Sequence, residues 1–188
     1  FPPAAGIDFV LGLQEDGDNV DNPLTEDFEE AFSNQGLMYP GAGSGFGDGV
    51  VDNERRGMSH FVYYNNSPNP INGIPSTPTH FYNYMNAVWL NDAAMIFGGD
   101  GASEASGALE GVFTSSMFAG DSDPFFWSTG GVDPGIGPWS ELIAGNPPAD
   151  RRFVMSMGPV TFESGATKDF TMATLWARDT AEAGGSVM

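Results

Sequence analysis

Alternating apolar and polar positions predict that the chain is rich in β-strands. Near its start, Ile7, Phe9, Leu11 and Leu13 recur in a nearly clean period of two, which predicts a first strand over residues 6–13. Shorter apolar segments predict further strands at residues 58–65, 93–97, 112–118, 152–162 and 168–177.

The last two of these segments form the clearest predicted pair. A turn over residues 163–167 joins them, and each carries apolar residues on both of its faces. Strands with two apolar faces are typical of the centre of a sandwich. The sequence therefore predicts a mainly β fold, a β-sandwich of jelly-roll or Ig-like type, with two short helices and long acidic loops rich in glycine and proline.

Two segments have helical spacing. Residues 25–34 predict a short helix capped by Thr25. A second helix is predicted to begin after the cap Thr77, with Pro78 at the first helical position, where its missing N–H costs nothing. The second helix is predicted to place one aromatic face on the core, formed by Phe81, Tyr84, Met85, Val88 and Trp89.

Length and composition predict one domain with many turns. The chain has 188 residues, 40% of them hydrophobic, which is enough for a real core, and its 26 glycines and 14 prolines favour turns over long helices. We expect a single β-rich domain over residues 1–179 and a linker or frayed tail over residues 180–188. Because no signal peptide is visible and the chain starts at Phe1, we expect a piece of a longer or processed protein.

Charge and cysteine content exclude several classes of function. The chain has 6 basic and 25 acidic residues, a net charge of −19, so it lacks the basic surface that binds nucleic acid or anionic membranes. The absence of cysteine excludes disulfides and thiolate metal sites. No apolar run approaches the ~20 residues that cross a bilayer. The acidic surface favours divalent cations or cationic partners, and solubility in a salty medium is the alternative explanation.

Three acidic, glycine-containing loops are the candidate metal sites. Carboxylate and carbonyl oxygens suit calcium, and glycine permits the tight turns that such loops need. The candidate calcium ligands are Asp16, Asp18, Asp21, Asp48, Asp52, Glu54, Asp121 and Asp123.

The central loop, residues 45–58, does not match an EF-hand. With Asp48 at the fifth position of such a loop, Ser44 would fill the first and Arg55 would stand where a bidentate glutamate belongs. An irregular calcium loop remains open. The alternatives are a β-turn whose acids pair with Arg55 and Arg56, and solvated turns at the other loops.

No catalytic constellation stands out. The chain has two histidines, His60 and His80, and no His-Glu-x-x-His helix. A pair of carboxylates acting as in glycosidases is left open, because sequence spacing cannot establish it. Trp127 and Trp139, with the acids around Asp121, could form a carbohydrate-binding face, or the loop could fold back over the core.

Seven phrases occur in order: GFGDGVVDNER (45–55), FVYYNN (61–66), YNYM (82–85), FGGDG (97–101), MFAGDSDP (117–124), DRRFVMSMGP (150–159) and LWAR (175–178). As a set they resemble a module of large proteins that the type IX secretion system of Bacteroidetes-type bacteria exports. Ser59 and His60 depart from the family pattern, where a basic pair is expected, and so does Ala119, where proline is expected. The resemblance implies export to an extracellular or cell-surface location, and it implies no enzymatic activity.

These observations lead to one expected function and one alternative. We expect a non-catalytic structural or adhesive module of a large secreted cell-surface protein, stabilised by calcium. Its expected partners are neighbouring modules of the same protein, a second copy of the chain or a surface glycan, with no nucleic acid and no membrane insertion. The alternative is a carbohydrate-binding or accessory module of an exported hydrolase.

Overall fold

The structure, a computed structural model, describes residues 4–14, 19–23, 25 and 44–177. Its strands and helices are β1 (Ala4–Leu11), β2 (His60–Asn65), α1 (Pro78–Met85), β3 (Ile96–Gly98), β4 (Ala108–Phe113), α2 (Glu141–Ala144), β5 (Arg151–Ser156) and β6 (Thr171–Ala177). Single 3₁₀ turns occur at Glu104–Ser106, Gly120–Ser122 and Trp127–Thr129. Strands dominate and both helices are short, which confirms the mainly β prediction.

The strands form three antiparallel sheets of two strands each within the described ranges: β1 with β6, β2 with β5, and β3 with β4. The predicted pairing of residues 152–162 with residues 168–177 is therefore wrong. Met155 of β5 lies opposite Phe61, and Thr174 of β6 lies opposite Ile7. After Ser156 the Gly158 amide donates to the Ser59 side chain at 3.0 Å and Pro159 has no N–H to donate, so the chain leaves the sheet and reaches β6 by a non-strand connection.

The core lies around β2, β3 and the end of α1. Its buried side chains are Val62, Tyr64, Tyr84, Ala87, Trp89, Met95, Phe97, Met117 and Trp139. The Trp89 ring packs edge-on against Tyr84 with ring centroids 5.9 Å apart, and its indole nitrogen donates to the Gly101 carbonyl at 2.7 Å. Gly101 has a φ of +76°, and a Cβ there would lie 3.1 Å from the Trp89 ring. The core is thus built from aromatic rings packed against close backbone.

The start of α1 is as predicted, but its end is not. The Thr77 hydroxyl accepts from the His80 amide at 3.2 Å, and Pro78 is the first helical residue. The helix ends at Met85, so Val88 and Trp89 follow it instead of extending its face. Phe81 and Met85 are half exposed. The predicted continuous aromatic face is therefore wrong, because the backbone turns sharply at Ala87, whose φ is +52°.

Other predicted elements shift or lie outside the described residues. The strand predicted at residues 93–97 overlaps β3, Ile96–Gly98, by two residues, and the strand predicted at residues 112–118 overlaps β4, Ala108–Phe113, only at its first two residues. Of the helix predicted over residues 25–34, the structure describes Thr25 alone, and the tail at 180–188 is also outside. The described part contains no helix that is long and apolar enough to cross a bilayer.

The sheet of β1 and β6 presents apolar residues to solvent. Leu175 is 63% exposed and Trp176 is 68% exposed, while Phe9 contacts Phe170 edge-on. A two-stranded sheet is only marginally stable alone in water. A second layer over this sheet stays a prediction, as does the sandwich.

Candidate functional site

Two of the acidic loops predicted to bind metal contact each other. We call residues 19–22 and 44–56 the loop junction. Asp21 crosses from the first loop to the second, where its two carboxylate oxygens accept from the amides of Gly47 at 2.8 Å and Gly49 at 2.7 Å. In the opposite direction, the Asp52 carboxylate accepts from the Asn19 amide at 2.8 Å. The carboxylates of each loop therefore bind the backbone of the other.

The second loop is closed on itself by backbone and side-chain bonds. Ser44 and Arg55 form an antiparallel bridge with hydrogen bonds of 3.1 and 2.8 Å. Asp48 accepts from the Val50 amide at 2.9 Å and from the Asn53 side-chain amide at 3.0 Å. A bridge closed by such a turn fixes where the acids lie, which a solvated loop would not do.

Glu54 is the most buried acid of the loop junction. It is 3% exposed, and its Oε1 accepts from the Asn22 amide at 2.7 Å. Its Oε2 is buried and accepts no hydrogen bond from the described residues, and the same is true of Asn53 Oδ1. A buried carboxylate oxygen without a partner is costly unless a cation or a proton compensates it. These two oxygens are therefore the open acceptors of the junction.

Arg55 pairs with groups outside its own loop. Its guanidinium donates to the Gly12 carbonyl at 3.0 Å and pairs with the Asp169 carboxylate at 3.2 Å. Arg56 donates to the Pro159 carbonyl. Arg55 thus connects the loop junction to the segment before β6, and it does not neutralise Glu54.

No protein-family model, curated protein or solved structure matches this chain. Within the described ranges, no group of three or more histidine, cysteine or acidic side chains is arranged to hold a metal ion. Asp16, Asp18 and the Asp121 side chain lie outside what the structure describes.

Asp123, the remaining candidate ligand, caps a turn. It is 8% exposed, and its two carboxylate oxygens accept from the amides of Trp127 and Ser128, each at 2.9 Å. Both amides are in the 3₁₀ turn Trp127–Thr129 and are buried. The carboxylate therefore satisfies two buried backbone donors.

Replacing Asp123 with asparagine should destabilise the protein by about 2 kcal/mol, because an NH₂ group cannot accept and one buried N–H loses its partner. Urea unfolding measures the loss. Asp133→Asn is the matched control, since Asp133 is exposed and accepts only from the Gly135 amide among the described residues. The loss should be equal with calcium and with a chelator. A loss that appears only with calcium would instead make Asp123 a ligand.

The tryptophans proposed for a carbohydrate-binding face are in the interior. Trp127 is 2% exposed and Trp139 is 3% exposed. The Trp139 ring packs against Phe97 and Phe118, and its nitrogen donates to the Gly99 carbonyl at 3.1 Å. The loop at 120–139 folds back over the core, which was the open alternative, so these rings offer no stacking face to a sugar.

A second feature was missed by sequence reasoning. A cleft of about 380 Å³ opens where β2 ends and β5 begins. We call it the amide cleft, and the lining residues that define it are Tyr64, Asn65, Asn66, Asn146, Asp150 and Arg151. The paired asparagines and the Asp-Arg pair are in two of the phrases that carry the family resemblance. Their meeting depends on the β2–β5 register, in which Asn65 lies opposite Arg151.

Proposed function

We propose that this chain is a non-catalytic structural or adhesive module of a large secreted cell-surface protein, and that calcium stabilises it at the loop junction. The observation that carries the calcium part is Glu54, an acid that is almost fully buried and has one oxygen without a partner among the described residues. A hard cation would offset that buried charge.

The donor chemistry of the junction fits calcium. Glu54 Oε2 and Asn53 Oδ1 are open oxygens, and the Asp21, Asp48 and Asp52 carboxylates belong to the same pair of loops and retain further lone pairs, although the described residues do not gather three acidic side chains into a ready metal site. Calcium takes about six to eight oxygen ligands, which include backbone carbonyls and water. Asp123 is not a ligand of the proposed site, because it lies outside the loop junction and caps a buried turn elsewhere.

The role of calcium would be to hold two loops together. The junction joins residues 19–22 to residues 44–56 by carboxylate–amide bonds, and Arg55 joins it to the segment before β6. An ion bound there would tie β1, the second loop and β6 into one unit. Such a connection would make the module more rigid. It involves no catalytic group.

The extracellular location and the modular context are supported by the resemblance to type IX-exported proteins and by the acidic composition. The β1–β6 sheet adds a structural reason, because its exposed apolar side chains, including Leu175 and Trp176, would be covered by a neighbouring module, a second copy or a second sheet layer. A β-sandwich of jelly-roll or Ig-like type is proposed on the same ground.

Calcium titration by calorimetry tests the site directly. The wild type should bind calcium, and Glu54→Gln should lose most of that binding, because it removes the buried charge while keeping size and shape. Glu110→Gln is the matched control, since Glu110 is exposed on β4. Equal binding by wild type and Glu54→Gln would overturn the assignment of the site.

Sedimentation with whole bacterial cells, together with sizing of the chain alone, tests the adhesive role. We expect the chain to associate with cells, with itself or with an adjoining segment of its parent protein. A chain that remains monomeric and binds none of these would remove the adhesive role, whether or not calcium binds.

A further inference from the structure

Hydrogen bonds within the protein fix the asparagine side chains of the amide cleft without a ligand. Asn65 donates its side-chain amide to the Asn72 side chain at 3.0 Å, and Asn66 donates its backbone and side-chain amides to Asp150. Among the described residues, the side-chain oxygens of Asn65 and Asn66 accept no hydrogen bond. Each amide is therefore fixed at one end and open at the other, which is the preorganisation that a polar ligand needs.

Arg151 also lines the amide cleft. Its Nη2 donates to the Pro147 carbonyl at 2.7 Å, and its guanidinium lies 5.5 Å from the centroid of the Tyr63 ring. Its Nε is buried and has no partner in the part of the chain that is described. Because this atom is shielded from solvent, the guanidinium contributes its charge and its planar shape to the cleft, and not an open Nε donor.

The charge of the cleft limits the class of ligand. Asp100 and Asp150 line it together with Arg151, so its carboxylates outnumber its cation, and the chain as a whole carries −19. The two carboxylates would repel an anion, and the Arg151 guanidinium would repel a cation bound beside it. The amides and carboxylates of the lining residues offer both donors and acceptors, which match the hydroxyl groups of a neutral molecule.

We propose that the amide cleft binds a neutral saccharide, either a single sugar or the end of a surface glycan. Its volume, about 380 Å³, is within the range of small-molecule sites, ~300–1,000 Å³. This inference rests on the adhesive role proposed above and names the contact that would supply it. It replaces the tryptophan face, which is buried, with a different part of the molecule.

The test uses the methyl glycosides of glucose, galactose, mannose and N-acetylglucosamine, titrated into the whole chain and followed by calorimetry and NMR. At least one should bind, with a Kd on the order of millimolar, as expected for so small a ligand. Glucuronate and free glycine are the charged comparisons, and both should bind more weakly.

Two adjacent arginines give matched variants. Arg151→Ala should weaken sugar binding at least tenfold, and Arg151→Lys should also weaken it, because lysine keeps the charge but lacks the planar guanidinium that contacts the Pro147 carbonyl and the Tyr63 ring. Arg152→Ala is the control, since Arg152 is the next residue of β5, is exposed and does not line the cleft. Asp150→Asn is a second cleft variant in case Arg151→Ala fails to fold. It should change the preference among the four sugars.

Each outcome decides the proposal. Binding of no neutral sugar would overturn it, as would binding that Arg151→Ala and Arg152→Ala affect equally. Tighter binding of glucuronate or glycine would assign the cleft to a charged ligand and overturn it as well. Loss of sugar binding while the chain still adheres to cells would leave the adhesive role intact. Failure of cell adhesion with sugar binding retained would remove that role alone.

Discussion

Trp89→Ala should lower the free energy of unfolding by about 3–5 kcal/mol, the usual cost of truncating a buried tryptophan. Trp89 is 1% exposed, contacts Tyr84 edge-on and donates to the Gly101 carbonyl. The substitution opens a cavity in the aromatic core and also removes one of the two donors to the Gly101 carbonyl, which keeps the Ile96 amide at 3.0 Å. Urea unfolding followed by far-UV circular dichroism measures the change, provided that the variant remains folded in water.

Trp176→Ala is the matched control for that experiment. Trp176 is on β6 and is 68% exposed, so its removal should change the free energy of unfolding by less than about 1 kcal/mol. If Trp176→Ala cost as much as Trp89→Ala, the β1–β6 sheet would be covered in solution. If Trp89→Ala lowered the free energy of unfolding only slightly, Trp89 would not be buried in the core in solution.

Acidification should destabilise the protein by up to about 3 kcal/mol through His60 alone. Burial lowers the pKa of His60 to about 4 from its ordinary 6.5, because the charged imidazolium would lose its hydration. Between these values the unfolded chain binds a proton that the folded chain does not. The contribution is therefore complete above pH 6.5 and is lost as the pH falls to about 4.

Urea unfolding at a series of pH values, with His60→Gln as the reference, separates this effect from the titration of the many acids. The wild type should lose stability faster than His60→Gln, by at most about 1.4 kcal/mol per pH unit. His80→Gln is the matched histidine control, since His80 is on α1 and its ring lies against Ser76. Parallel slopes for wild type and His60→Gln would show that His60 is hydrated in the folded protein.

Local signals in the sequence predicted local structure well. The Thr77 cap and Pro78 specify the start of α1 within a few residues of chain, and the alternation at residues 6–13 specifies β1, because both depend on neighbours in sequence. The end of α1 was missed because Ala87 adopts a left-handed conformation that no glycine or asparagine at that position announces.

Pairing between distant segments could not be predicted from the same signals. The apolar pattern of residues 152–162 and 168–177 suits any antiparallel partner, and the turn at 163–167 suggested that they pair with each other. The actual partners, β2 and β1, are far away in sequence, and their choice depends on packing against the core. The register of a strand pair depends on both strands, so the sequence of one strand alone does not determine it.

The same difference between local features and contacts between distant segments applies to the candidate site. The sequence singled out both acidic loops of the junction, but it did not indicate that Asp21 and Asp52 would each bind the opposite loop. It also did not distinguish Glu54, whose burial is a property of the fold. The amide cleft was missed for a similar reason, since its residues come from several distant segments that only the β2–β5 register brings together.

Thermal unfolding of the purified chain with excess calcium, and then with a chelator, tests the central claim most directly. An ion that binds only the folded state, at a hundred times its Kd, adds about 2.7 kcal/mol. For a chain of 188 residues this predicts a rise in Tm of roughly 5–10 °C, which Glu54→Gln should abolish. An unchanged Tm at saturating calcium, after exhaustive chelation of the starting protein, would contradict the account and leave the acidic loops as turns whose carboxylates serve the backbone alone.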